Sequence, residues 1–200
     1  MMNTTNFEIN PIIFSSEYIS AHLLPVIQKS SSDDTLMKEP FLDLELIFKV
    51  VLKNTESGTT TYKLTKALAE SEHLDIAFLK KCAWANAYDT VTCQSMNEIF
   101  GMPELDMDMY VLSNERKNWG AGAAFICTLK LKELAEKWHT NEIVILPSSV
   151  HELIAIKPDM ADNKYINAMI ADVNAGYVDE KEQLSDHHYI YHADSDSFTF

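Results

Sequence analysis

Phe41-Leu42-Asp43-Leu44-Glu45-Leu46-Ile47-Phe48-Lys49-Val50-Val51-Leu52-Lys53 is the stretch on which the fold turns. Leu42, Leu44, Leu46, Phe48, Val50 and Leu52 recur at every second position, with Asp43, Glu45, Lys49 and Lys53 between them. Side chains alternate faces along an extended chain, so the pattern predicts a long strand with one apolar face. That face is the longest of its kind in the chain, which makes the strand central or next to central. Asn54 to Gly58 is turn material, and Thr59 to Leu64 is a β-branched return strand. A helix follows, with Asp75 as N-cap and Ile76, Leu79, Ala83 and Ala87 on one face.

Working outward, the same order recurs. Met109 to Leu112 and Ala123 to Cys127 read as strands, and Thr128 caps a helix from Leu129 to His139. Ile143 to Leu146 and His151 to Ile156 form a third pair around a turn at Pro147-Ser148-Ser149, with Pro147 at the second turn position. A helix from about residue 162 to 174 follows, then a closing pair, His188 to His192 and Phe198 to Phe200. The expected fold is α+β: a mostly antiparallel sheet built from ββα units, with helices on one face. Toward the N-terminus, Phe14 to Gln28 reads as a short helix ended or kinked at Pro25, and Lys29 to Asp34 as a polar loop. The expected division is an extension over residues 1–39, partly helical or mobile, and a single domain over 40–200.

The 200 residues suffice for a sizeable core, and 46% apolar with 23% charged residues is ordinary globular composition. The charge is less ordinary. Thirty acidic residues face fifteen Lys and a single Arg, Arg116, for a net of −14. Arg is the side chain best shaped to fork onto phosphates and base edges, so direct nucleic-acid binding is not expected. Anionic membrane surfaces are disfavoured on the same ground. Cys82, Cys93 and Cys127 are odd in number and lack metal-site spacing, which fits a reducing cytosol. The start, Met1 to Thr5, lacks the pattern of a secretion signal, so a cytoplasmic location is expected.

Several stretches, in order, carry a resemblance. They include Phe41 to Leu46, Tyr110-Val111-Leu112-Ser113-Asn114, Gly122-Ala123-Ala124 and Lys132 to Lys137. Ile145-Leu146-Pro147-Ser148-Ser149-Val150-His151-Glu152 and Leu184-Ser185-Asp186-His187 complete the set. Together they resemble an uncharacterised family of anaerobic Gram-positive gut bacteria, catalogued as a domain of unknown function. The resemblance spans roughly residues 40–192 and implies a lineage and a compartment, with no activity, cofactor or catalytic residue.

In the 147–152 turn, Ser148 or Ser149 could act as nucleophile, with His151 or His187 as base and Asp186 or Glu152 orienting it. No Gly-x-Ser-x-Gly elbow is present, and the plainer reading has the serines satisfying turn backbone and His151 and Glu152 on opposite strand faces. Asp186, His187, His188 and His192, with Asp194 and Asp196, have metal-ligand character, but His188 and His192 lie about 13 Å apart along a strand, too far for one ion unless the strand bends. No metal and no cofactor is expected. Gly120-Ala121-Gly122-Ala123-Ala124 reads as a site of close strand packing or a bulge, since a phosphate loop would require a helix to begin at once. Glu104, Asp106 and Asp108 read as the charged entry of an edge strand.

The leading expectation is a non-enzymatic acidic protein that binds a protein partner through an acidic surface. Its sharper form is an inhibitor that mimics nucleic-acid charge, of the anti-CRISPR or anti-restriction type carried by mobile elements, aimed at a basic nucleic-acid-binding protein. The residues expected to form that surface are Glu104, Asp106, Asp108, Asp179, Glu180, Glu182, Asp186, Asp194 and Asp196. The alternatives are a small hydrolase using the Ser148/Ser149/His151 turn and a structural or oligomerising module.

Overall fold

A computed structural model describes residues 14–55, 58–102, 108–161 and 163–200, with backbone alone at 163 and 164. Along the chain run α1 (Ser16–Ala21), β1 (Leu23–Lys29), β2 (Lys38–Phe41), β3 (Leu44–Thr55), β4 (Gly58–Lys63), α2 (Lys66–Ser71) and α3 (Ile76–Tyr88). Then come β5 (Val91–Ser95), α4 (Met96–Ile99), β6 (Met109–Asn114), α5 (Gly120–Ile126) and α6 (Leu129–Trp138). The chain closes with β7 (Glu142–Ser149), β8 (Glu152–Ile156), α7 (Asn163–Tyr177), β9 (Tyr189–His192) and β10 (Ser197–Thr199). The fold is α+β, with every strand pairing among the described residues antiparallel. Among those residues no helix is long and apolar enough to cross a membrane.

The strands form two sheets. β3 is the centre of the first, with β1 along one edge and β2 then β4 along the other. The second has the order β10-β9-β7-β8-β6-β5. Leu44, Leu46, Phe48 and Val50 of β3 face the main core, as the alternation requires. The strand begins at Leu44, not Phe41, because Leu42 takes a left-handed conformation (φ 55°) and Leu42-Asp43 turns the chain back to β2. The other face of β3 is also covered: Glu45 is buried, and Ile47 packs with Val26 and Leu36.

Residues 23–29 are a full strand, paired from Leu23 opposite Val50 to Lys29 opposite Leu44. The expected helix over Phe14 to Gln28 is therefore corrected: α1 stops at Ala21, and Pro25 sits within β1. An edge strand tolerates proline because one row of its N–H groups has no ladder partner. Leu23 and Ile27 are buried in the main core, so this segment belongs to the sheet and is no separate extension.

Residues 123–127, expected as a strand, are the end of α5 (to Ile126) and its C-cap Cys127, and every residue from Gly120 to Phe125 is buried. The small side chains let this helix lie between the two sheets. A Cβ at Gly122 would stand 2.5 Å from the Pro25 carbonyl oxygen. The second expected ββα unit thus lacks its return strand, whereas β3, β4 and α3, and β7, β8 and α7, follow the pattern. Asp75 caps α3 as expected, its Oδ1 accepting from the Phe78 N–H at 2.7 Å. Thr128 occupies the N-cap position of α6, but its hydroxyl donates to Asp196 instead.

Pro147 stands inside β7 opposite Leu153, followed by a bulge at Ser148, and Val150-His151 make the turn. β9 pairs only with residues 142–145 of β7, so the missing proline N–H costs no ladder bond on that side. β6 runs between β8 and β5 and is not an edge. α5 and α6 cover the core face of the second sheet. α7 packs on the opposite face, where Ile166 and Ile170 meet Val144, Leu146 and Ile156, so helices occupy both faces of this sheet.

Candidate functional site

The most constrained part of the molecule is where the end of β6, the start of α5 and the β7–β8 turn meet. Asn114 is buried, and its side chain organises the loop that follows. Its Oδ1 accepts the N–H groups of Arg116 and Asn118, both at 3.2 Å, and its Nδ2 donates to the Asn118 carbonyl at 2.8 Å. Such a side chain substitutes for ladder bonds that a tight loop cannot make. Lys117 (φ 51°) and Trp119 (φ 55°) are left-handed, a conformation non-glycine residues adopt only when their surroundings over-determine it.

Gly120 then passes so close to β6 and the turn that a Cβ would meet the Ser113 hydroxyl, the Asn114 nitrogen at 2.5 Å and the His151 carbonyl oxygen at 2.7 Å. The buried Ser113 hydroxyl donates to that same His151 carbonyl at 2.8 Å. The His151 ring is held at both nitrogens. Nδ1 accepts the Trp119 backbone N–H at 3.1 Å, which places the ring proton on Nε2, 3.2 Å from a Glu182 carboxylate oxygen. The Val150 N–H donates to the Glu182 carbonyl at 2.8 Å, so three distant segments are tied at one turn.

Trp119 lies over the first sheet, packed with Val26, Leu36 and Ile47, and the Lys49 ammonium sits 3.8 Å from the centre of its ring. Next to it opens a half-enclosed cleft of about 210 Å³ whose walls include Leu24, Val51, Asn86, Arg116, Asn118 and Trp119. Burial holds the Lys49 amine down to about 8, and Lys63, its register partner on β4, adds repulsion.

The sequence-predicted nucleophiles and bases fall in two places. Ser148 donates weakly to Glu152 at 3.3 Å, and Ser149 Oγ accepts from the His151 backbone N–H at 3.1 Å. His187 lies on the other side of the chain's course: its Nε2 meets Asp43 at 3.0 Å, its Nδ1 meets the His188 carbonyl at 3.0 Å, and Phe200 stacks on it. Neither imidazole ring bonds a serine hydroxyl among the described residues. The same Asp43 carboxylate accepts from the buried Tyr189 hydroxyl at 2.7 Å, so the β2–β3 turn is stitched to β9. Burial raises the Tyr189 phenol well above its usual range. Asp186 accepts from the Asn174 amide at 2.7 Å.

Of the expected acidic surface, Glu104 and Asp106 lie outside the described residues. Asp108 is taken by Lys157 at 2.6 Å and the Trp138 ring N–H at 3.0 Å. Asp196 accepts from Thr128, Tyr191 and Lys132. Burial alone would raise its carboxyl, but those three bonds prevail and hold it low. Glu182 holds His151, while Asp179, Glu180 and Asp194 stay at the surface. His188 bonds Asn167 at 2.7 Å, and His192 bonds Thr199 at 2.9 Å. No group of three potential metal ligands occurs among the described residues.

Reasoning on the sequence missed Lys49, Asn114, Trp119 and the outer face of α7. On that face Tyr165, Met169, Val173 and Tyr177 recur every fourth residue and are 72, 49, 42 and 89% exposed. The i, i+4 spacing was a readable signal, since it makes one continuous stripe. The inner row, Ile166 and Ile170, is buried against the sheet, so the helix is apolar on two sides.

A family model described as "Family of unknown function (DUF5688)" matches residues 6–193. No curated protein and no solved structure matches the chain.

Proposed function

The chain belongs to this family of unknown function, which lends it no activity, and we propose from its own surface that it is a non-catalytic protein-binding protein whose partner lies along α7. The carrying observation is the Tyr165-Met169-Val173-Tyr177 stripe, four large apolar side chains in line on a helix whose other side is already packed. Contiguous apolar surface in water marks a contact site, and aromatic residues and Met are the types enriched in such contacts. Asp172 within the helix and Asp179 and Glu180 just past its end are exposed and give the stripe a negative border. Residues 155–200 as a whole carry nine acidic and three basic side chains. Border charge of this kind steers encounter with a basic partner and adds to the on-rate.

The partner is thus a protein with an apolar groove bordered by Lys and Arg. In the sharper form it is a basic nucleic-acid-handling protein in a bacterial cytoplasm, such as a Cas or restriction nuclease, and the protein is its charge-mimicking inhibitor. The net charge of −14 and the resemblance to proteins of anaerobic Gram-positive bacteria support this form. The test is binding of the purified protein to a panel of such nucleases, measured by biolayer interferometry over a salt series. A partner on this face should be lost to Tyr165→Lys with Met169→Lys, and its association should slow as salt rises. A nuclease held equally well by that variant, or at a salt-independent rate, would refute the assignment of the face.

A further inference from the structure

The walls of the cleft beside Trp119 are tied to one another before any ligand arrives. The His22 carbonyl accepts the Val51 N–H at 2.9 Å, which joins the bend between α1 and β1 to β3. The Asn86 amide of α3 donates to the Ser20 and Leu23 carbonyls at 2.8 and 3.1 Å, and the Glu115 N–H donates to the Thr90 carbonyl at 3.1 Å. Trp119 is fixed through His151, and Asn114 holds the loop that carries it. The same walls carry groups whose bonding is incomplete. With both Nδ2 hydrogens used, Asn86 keeps Oδ1 as an acceptor, and the Asn118 side-chain amide has no hydrogen bond among the described residues. The Arg116 guanidinium and the Glu115 carboxylate make no ion pair among those residues, with each other or with any third group. The chain's one arginine thus stands unpaired on a concave wall, in a protein with thirty acidic side chains.

We propose that this cleft binds a free α-amino acid with an apolar side chain, Arg116 meeting its carboxylate and Glu115 its ammonium. A guanidinium offers a carboxylate two parallel N–H groups, a geometry that an amine cannot supply. The Glu115 carboxylate, with Asn86 Oδ1 as a further acceptor, suits the three donors of an ammonium. Leu24, Val51 and Trp119 supply apolar wall for the ligand's side chain. Charge decides the class of ligand. Glu115 and Arg116 bring one charge of each sign to the wall, and a zwitterion answers both. A simple anion would be opposed by Glu115 and would enter against the field of a protein of net −14. Size decides the rest. The cleft's volume of about 210 Å³ lies below the roughly 300–1,000 Å³ of sites for drug-sized ligands, which fits one amino acid and not a peptide. Binding is non-covalent and involves no reaction.

No α7 residue lies on these walls, so the site is independent of the α7 face. The test is isothermal titration calorimetry of the full chain with L-leucine, L-methionine and L-phenylalanine. Each is paired with its amide, which lacks the carboxylate, and its N-acetyl form, which lacks the ammonium. At least one of the three amino acids should bind at one site per chain. Losing a hydrogen-bonded charge should weaken either derivative by about tenfold to a hundredfold. Arg116→Gln should weaken the amino acid by a similar factor and leave the amide form unaffected, and Glu115→Gln should do the same with the N-acetyl form unaffected. Both side chains are exposed, so neither substitution disturbs the core. The Tyr165→Lys/Met169→Lys variant should bind the amino acid as the parent does, so loss of the α7 partner and loss of the ligand are separate results. The proposal is overturned if none of the three amino acids binds, or if a derivative binds as tightly as its free amino acid. It is equally overturned if either cleft variant leaves the amino acid's affinity unchanged, or weakens the amino acid and the matched derivative alike.

Discussion

One methyl group added at Gly120 tests whether the junction beneath Trp119 is as rigid as its contacts imply. The Cβ of Gly120→Ala would strike the Ser113 hydroxyl and come within 2.5 Å of the Asn114 nitrogen and 2.7 Å of the His151 carbonyl oxygen. Two of those atoms are backbone, one in β6 and one in the β7–β8 turn, so neither can rotate away. Relief requires the turn to move off the loop, which stretches the Ser113–His151 bond and the Trp119–His151 bond. Overpacking of this kind costs about 1–3 kcal/mol. Each of the two weakened hydrogen bonds adds about 1 kcal/mol, which puts the whole near 3–5 kcal/mol. For a domain of this size that lowers Tm by about 6–20 °C. Gly176→Ala is the matched control: it lies in α7, a Cβ there meets nothing within 4 Å, and the helix should gain up to about 1 kcal/mol. Differential scanning calorimetry of the two variants beside the parent reads both signs. If Gly120→Ala melts with the parent, the turn yields to the methyl and the rigid-junction reasoning fails.

Asn174→Ala removes the amide that donates to the Ser185 carbonyl and to the exposed Asp186, leaving the carbonyl of the buried Ser185 unpaired. Urea unfolding should show a loss of about 2 kcal/mol, and an unshifted midpoint would contradict it. Glu45 bears on acid stability. Burial would raise its carboxyl, but Gln28, Ser31 and Lys38 together hold it below the usual value. A depressed folded pKa means the stabilisation is complete above the unfolded pKa and is lost as pH falls through the folded one. The parent should therefore lose stability between about pH 5 and pH 3, more steeply than Glu45→Gln, which should start lower at pH 7. Parallel acid limbs in a pH series of thermal melts would count against this account.

What could be read from the sequence follows from which physical signals are local. The β3 strand was legible because a half-buried strand must alternate, and α3 because Asp75 and the Leu79, Ala83, Ala87 row mark a start and a face. The Leu42-Asp43 turn was hidden inside the same alternation, since a leucine with φ 55° carries no turn signature. α5 was misread because a helix buried on all sides has no apolar stripe, and short runs of small and β-capable residues fit either period. Pro25 carries a helix-ending signal in the sequence, yet its edge-strand position makes it harmless to β1. Lys49 looked like one more solvated charge on a strand. Its character comes from Trp119, placed on it by a loop far along the chain, and no local pattern can announce that.

The polar residues that stand out in the sequence and the groups free to act in the structure are different sets. His151, Ser149, Asp186 and His187 spend their hydrogen-bonding capacity on backbone groups, on Glu182, on Asn174 and on Asp43. A histidine fixed at both nitrogens holds two segments in place. To serve as a general base it would first have to give up one of those bonds, at a cost of about 1 kcal/mol or more. The same bookkeeping, applied to groups whose bonding is incomplete, leads to Arg116 and Glu115 on the cleft wall and to the outer row of α7. Unspent binding capacity is what a ligand or partner can use, because contact there replaces water and breaks no internal bond. The 114–120 loop and the β7–β8 turn are built to hold Trp119 still, and that fixed ring gives the cleft beside it a defined wall.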